Sequence, residues 1–144
     1  MKAITIWQPW ASSIALGYKK NETRSWPTNY RGPIAIHAAK RPYLKILETL
    51  PDEVKRELSK IFDFNMELLH TGAVIAIAEL KDCRLINKEY VETLNTTELL
   101  LGDYTIGRYA WELENIRSIY PIKTSGKQGL WNIPDEIMAE AVKN

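Results

Sequence analysis

The apolar positions of this chain change period several times, and each change marks an element. Residues 4–10 (Ile-Thr-Ile-Trp-Gln-Pro-Trp) predict a short strand that ends at Pro9 and turns into a helix over 10–16, for which Gly17 is the stop. Residues 21–26 predict a second short strand, closed by Pro27. Ile34-Ala35-Ile36-His37-Ala38 is apolar on both alternating faces, as in a fully buried strand. From 42 to 62 the period becomes helical. Leu44, Ile46, Leu47 and Leu50 form one stripe; then Pro51-Asp52-Glu53 opens a second helix with Val54, Leu58, Ile61 and Phe62 on one face and Glu53, Arg56, Glu57 and Lys60 outward. This pair is expected to cover one side of a sheet and to serve packing. Residues 72–86 predict the central strand, with small Ala73, Ala76 and Ala78 set among Ile75 and Ile77 as a tightly curled sheet requires. Asn87 caps a short helix to Leu94, and Thr96-Thr97-Glu98 starts another turn. Tyr109, Trp111 and Leu113 alternate with outward Glu112 and Glu114 over 109–116, Pro121 starts the return, Trp131 ends the last strand, and 134–142 is an amphipathic helix. Short strands with helices between them predict an α+β fold, and the length of 144 residues predicts a single domain over 1–144.

The stretch 17–24, Gly-Tyr-Lys-Lys-Asn-Glu-Thr-Arg, concentrates polar chemistry between two apolar elements. On a strand, Glu22, Arg24 and Trp26 share one face at spacings of about 6.5 to 7 Å, with Thr23 and Ser25 on the other. Burying such charges unpaired costs roughly several kcal/mol, so this face suits the wall of a cleft. Other polar residues stand out singly. His37 lies at a strand end, where a histidine serves either as a hydrogen-bonded structural group or as a ligand-binding one. Glu79 interrupts the central apolar run, either emerging into solvent or aimed into a cleft as an acid or base. In Gly126-Lys127-Gln128-Gly129 the two glycines permit close backbone approach by a ligand, but the phosphate-binding P-loop spacing is absent.

Composition narrows the function classes. The chain is 45% apolar and 26% charged, ordinary globular values, with a single cysteine, Cys83, that has no internal partner. No apolar run approaches the roughly 18 residues of a membrane span, and the N-terminus lacks a signal-peptide pattern, so the cytoplasm is the expected compartment. One cysteine and histidines at 37 and 70 give no paired-ligand spacing; no metal and no cofactor are expected. The net charge of +1 hides an asymmetry: residues 1–46 hold eight Lys or Arg against one acid, a local +7 that the remainder offsets. Trp7, Trp10, Trp26 and Tyr30 lie among those cations. Unless folding interleaves the two halves, this pairing of aromatics with cations suits an RNA or nucleotide ligand.

The pattern Gly17-x-Lys19-x-x-Glu22-x-Arg24 resembles the signature of the ASCH family, the activating-signal-cointegrator homology domains. The resemblance continues through Trp7-Gln8-Pro9-Trp10, Ser25-Trp26-Pro27, Tyr30-Arg31-Gly32-Pro33, Ile36-His37-Ala38, Gly72-Ala73-Val74, Tyr109-Ala110-Trp111 and Gln128-Gly129-Leu130-Trp131, nearly the whole chain in order. It implies a small PUA-like β-barrel of about six strands with peripheral helices, and a cleft formed by the first helix and the strand after it. It also implies RNA or nucleotide binding, with Lys19, Arg24 and Arg31 on phosphate, Trp7, Trp10 or Trp26 stacking a base, and Gln8, Glu22, His37 and Gln128 as further ligand-binding candidates. The alternative it implies is a hydrolase acting on RNA or on an acylated nucleoside such as N4-acetylcytidine. One branch of the family uses a lysine, a threonine three residues later and a distant glutamate for that reaction. Lys19 matches the lysine, but Glu22 stands where the threonine is expected and Thr23 is one place off; Glu79 and Glu98 are candidates for the glutamate. A catalytic Lys19–Glu22 pair would instead activate water.

Overall fold

A computed structural model describes residues 1–63 and 66–142. Six strands form one curled sheet, a half-barrel of the PUA-like kind, with helices around it in an α+β arrangement. The strands are β1 (Lys2–Ile6), β2 (Asn21–Arg24), β3 (Gly32–Ala38), β4 (Ala73–Leu85), β5 (Tyr109–Lys123) and β6 (Leu130–Asn132). Their order across the sheet is β2-β5-β4-β3-β1-β6, and β1–β3 is parallel while the other neighbours are antiparallel. The helices are α1 (Trp10–Ala15), α2 (Leu44–Thr49), α3 (Asp52–Phe62), α4 (Lys88–Glu92), α5 (Thr96–Leu100) and α6 (Asp135–Val142).

Strand alternation divides the apolar residues between two faces. Ile4, Ile6, Ile34, Ile36, Ala76, Ala78, Leu80, Trp111 and Leu113 pack with Ala11 and Ile14 of α1, while Ala3, Ala35, Val74 and Ile122 pack with Met138 of α6. In β4 both Ile75 and Ala76 join the α1 side, which strict alternation forbids. The ladder to β5 shifts register between Val74 and Ala76, so a bulge resets the phase and bends the strand. In β5 the same device appears at Asn115, which adopts a positive φ of 50°. There the expected strand of 109–116 continues through Pro121 instead of ending: Pro121 falls in the irregular step between Ser118 and Ile122, where no ladder bond to β4 is demanded of it.

The helical pair of the 42–62 region packs Leu47, Leu50, Val54, Leu58 and Phe62 against Trp10 and Leu101. Its polar face is not wholly solvated, since Glu57 accepts a hydrogen bond from the Thr97 hydroxyl at 2.8 Å and ties α3 to α5. Nor is Glu112 simply outward: it accepts from the Tyr90 hydroxyl at 2.7 Å. Asn87 and Asn95 cap α4 and α5 through their side chains. Among the described residues no helix is long and apolar enough to cross a membrane, and no group of three His, Cys, Asp or Glu is placed to hold a metal ion.

Candidate functional site

The end of α1 determines where Lys19 goes. Gly17 at φ +84° makes a left-handed stop: its N–H donates to the Ile14 carbonyl at 2.9 Å and that of Tyr18 to the Ser13 carbonyl at 3.1 Å, a Schellman closure. The Lys19 N–H donates to the same Ser13 carbonyl, and the chain turns inward so that Tyr18 and Lys20 are exposed while Lys19 is only 1% exposed. The Lys19 ammonium donates to the Asn21 carbonyl and stands 4.0 Å from Glu22 Oε1. Burial strips its charge of water and pushes its pKa below the ordinary lysine value; the carboxylates of Glu22 and then Glu98 oppose that shift. A solvent-facing phosphate contact is therefore not what Lys19 offers. Its ammonium is held inside, between the Asn21 carbonyl and Glu22.

On β2 the predicted face is formed. Glu22 Oε2 accepts from Arg24 Nε at 3.0 Å, and Arg24 also donates to the Thr5 carbonyl at 2.8 Å. Glu22 Oε1 accepts from the Thr23 N–H at 3.2 Å, so this carboxylate lies between two cations and a backbone donor. Trp26 continues the face and stacks edge-on against Trp111, ring centres 4.8 Å apart. On the other flank the Thr23 hydroxyl accepts from the Asp103 N–H at 3.3 Å and the Thr23 carbonyl from Arg108 Nη2 at 3.2 Å, joining β2 to the loop before β5.

These groups line a cleft of about 840 Å³. Trp10, Leu50, Val54 and Leu101 give it an apolar wall, Trp7 and the segment Lys127, Gln128 and Gly129 contribute further sides, and Asp103 and Arg108 another. Four cations (Lys19, Arg24, Arg108, Lys127) and two acids (Glu22, Asp103) line it. Trp7 is 48% exposed and carries the Arg41 guanidinium 3.9 Å above its ring. The interleaved halves thus keep part of the positive character expected from residues 1–46, joined by Arg108 and Lys127 from the other half.

Of the residues nominated from sequence, Trp7, Trp10, Lys19, Glu22, Arg24, Trp26 and Gln128 meet at the cleft; Gln8, Arg31 and His37 do not. Gln8 is 1% exposed and consumed internally: its amide donates to Ser12 Oγ at 2.6 Å and the His70 carbonyl at 2.7 Å, and accepts from the Ser12 N–H at 2.9 Å. Arg31 donates to Asp82 at 3.2 Å and to the carbonyls of Thr28 and Tyr30. His37 is buried; the Trp131 indole donates to Thr5 Oγ1 at 3.1 Å, and that hydroxyl is 3.2 Å from His37 Nδ1, whose ring partner Nε2 meets the Thr124 carbonyl at 2.7 Å. Burial lowers the His37 pKa, consistent with a neutral ring donating from Nε2. Gly126 serves this knot rather than a ligand, because a Cβ there would lie 2.6 Å from His37 and Thr5. Glu79 is outside the cleft lining. Glu98 is buried behind Lys19, accepting from the Lys20 N–H and, at 3.1 Å, from the Tyr104 hydroxyl. Leu50 and Val54 correct the purely packing role expected of their helices. Asp103 and Arg108 were the residues missed; the glycines at 102 and 107 that bracket their loop were the available signal.

The ASCH domain model matches residues 4–123, which takes in β2 to β5 whole and β1 from Ile4 onward. The chain belongs to the ASCH domain family. It is 32% identical over 90 residues to human activating signal cointegrator 1, covering 62% of this chain and 15% of that protein, so it spans only a small part of the curated relative's length. The structure resembles ASCH from Zymomonas mobilis with a TM-score of 0.62 at 19% identity, covering 99% of this chain and 93% of that one. A mutant form of the same Zymomonas mobilis protein matches at 0.58 with 20% identity, over 99% and 94%. At these identities the structures establish the ASCH fold, the curled sheet with peripheral helices; the chemistry of the cleft rests on the residues of this chain.

Proposed function

We propose that this ASCH domain binds a nucleotide, or a short single-stranded stretch of RNA, in the cleft around Lys19, Glu22 and Arg24. The observation that carries the reading is the convergence of three tryptophans and four cations on one cavity of about 840 Å³, a size within the roughly 300–1,000 Å³ of small-ligand sites. A base finds aromatic faces in Trp7, Trp10 and Trp26 and an apolar wall in Leu50, Val54 and Leu101. A phosphate finds Arg24, Arg108 and exposed Lys127. Lys19 at the floor and the exposed amide of Gln128 provide hydrogen bonds to a base edge or sugar. Arg31, bound to Asp82, has no part in this reading.

Hydrolysis of an acylated nucleoside is the second reading, favoured by one observation: Lys19 is buried with a lowered pKa beside a carboxylate. In that reaction Glu22 takes a proton from water, the oxygen bonds to the amide carbon with the developing charge held by Lys19, and the proton passes to the departing nitrogen as the C–N bond breaks. Against it, Glu22 already accepts hydrogen bonds from Arg24 and the Thr23 N–H, leaving few lone pairs for water. The Thr23 hydroxyl, engaged with Asp103, is poorly disposed as a nucleophile beside Lys19. The test is to titrate the protein with a single-stranded RNA 12-mer, nucleotides and N4-acetylcytidine while following products by chromatography. Saturable binding without turnover is expected; product formation abolished by Glu22→Gln would establish the second reading, and absence of binding to all three would end both. Binding to the RNA is expected to weaken with salt at a log-log slope of magnitude about 2 to 3, as three or four phosphate contacts give.

A further inference from the structure

Among the described residues, the Nε of Arg108 is a buried side-chain nitrogen with no hydrogen-bond partner. Asp103 Oδ2 lies 3.4 Å from it, near enough for an ion pair but without hydrogen-bond geometry. The Asp103 carboxylate is committed elsewhere: Oδ1 accepts from the Thr105 hydroxyl at 2.6 Å and the Thr105 N–H at 3.2 Å, and its side chain remains 60% exposed. A guanidinium carries five N–H donors, and Arg108 directs one to the Thr23 carbonyl, which fixes it at the cleft wall. Both residues line the cleft. A cation whose present anion neither saturates it nor is held by it will exchange that anion for a better acceptor, and phosphate, with its several oxygens, matches a guanidinium fork.

We infer that Arg108 anchors a phosphate of the bound nucleotide, and that the Asp103 carboxylate holds that place until the phosphate displaces it. The inference rests on the nucleotide-binding reading and sharpens it: the preferred ligand is phosphorylated, not a neutral nucleoside. Moving Asp103 outward returns an already exposed carboxylate to water and leaves Arg108 with an anion throughout, so no buried charge is left without a partner. A neutral nucleoside has nothing to displace Asp103 with.

The experiment is calorimetric titration with each of the four nucleosides, their 5′- and 3′-monophosphates, and inorganic phosphate alone. The wild type is expected to bind at least one monophosphate about tenfold or more tighter than its nucleoside, as one charge-assisted contact gives. Arg108→Gln should bring that ratio toward one, Arg108→Lys should leave it intermediate, and Asp103→Asn should raise it above the wild-type value; Asp103, being exposed, provides this arm even if an Arg108 variant folds poorly. A wild-type ratio near one, with nucleosides still binding, overturns the phosphate anchor and leaves the cleft reading standing. A ratio unmoved by Arg108→Gln, or lowered by Asp103→Asn, also overturns it. Inorganic phosphate binding as tightly as any monophosphate would make the site one for the free anion and reject the nucleotide assignment. Failure of every nucleoside, nucleotide and RNA to bind removes the cleft reading and this inference with it.

Discussion

Two walls of the cleft hold charge in opposite ways. On β2 and the turn leading into it, Lys19, Glu22 and Arg24 form a closed set, in which the carboxylate accepts from Arg24 and from backbone, and each cation also donates to a carbonyl. On the loop before β5, Asp103 and Arg108 are neighbours without a hydrogen bond between them, and Arg108 Nε is unsatisfied. The first arrangement is preorganised: its groups are oriented before a ligand arrives and lose little freedom on binding. The second is exchangeable. On the nucleotide-binding reading the first would serve as a fixed floor and the second as a corner open to exchange, so substitutions on the two walls should fail differently.

The largest effect is expected at Lys19. Replacement by Met nearly fills the same volume but takes the cation away from Glu22 and Glu98, so ligand affinity should fall by about 100-fold with only a modest loss of thermal stability, since Arg24 still pairs with Glu22; an unchanged affinity would make the lysine structural. Lys19→Ala, which empties the volume, should instead destabilise by about 2 kcal/mol or more in denaturant melts. The pH dependence has a definite sign. The unfolded chain, with its lysine near the ordinary 10.5, binds this proton more tightly than the folded one, so stability should rise as pH climbs from the lowered folded value toward 10.5, and Lys19→Met should lack that slope.

Arg24→Ala comes next: loss of one charge-assisted contact should weaken RNA or nucleotide binding by about 10- to 100-fold, seen in the same titrations, because the remaining Lys19 is too buried to substitute. Glu22→Gln keeps shape but removes the charge between two cations; on a binding-only site it should shift affinity by about tenfold in either direction, with no rate to lose. Thr23→Ala is expected to be smallest, within about 1 kcal/mol of wild-type stability and a few-fold in affinity, since only the bond from the Asp103 N–H is lost and the carbonyl bond to Arg108 remains. A larger loss there would mean that the loop depends on β2 for its position and that the two walls are not independent.

The β2 wall was legible in sequence because its logic is local. Period-two alternation put Glu22, Arg24 and Trp26 together, a glycine stop explained the turn before Lys19, and both follow from neighbours along the chain. What periodicity could not convey was depth: Lys19 reads as a surface cation until the inward turn after Gly17 is seen. Gln8, read as a ligand contact, is held by a carbonyl 62 positions away, and Arg108 joins the site through one 85 positions away. The polar knot of His37, Thr5 and Trp131 is equally non-local, and it explains why a histidine at the end of a buried strand needs no ligand. The sheet was readable except where bulges reset its phase, because a bulge leaves the composition of β4 and β5 unchanged while turning a side chain to the other face.

The segment carrying α2 and α3 enters and leaves the sheet at one point: the Gly72 N–H bonds to the Ala38 carbonyl at 2.8 Å, so β3 and β4 meet there much as they would in an ordinary hairpin. The described helices between them form a detour whose inner surface, Leu50 and Val54, furnishes part of the apolar wall. Such a layout is a replaceable visor. A shorter or longer excursion between Ala38 and Gly72 would resize the chamber while leaving the strand pairings in place, but Leu101 and Thr97, which meet α3, would need new partners, so the loop that follows them would feel the change.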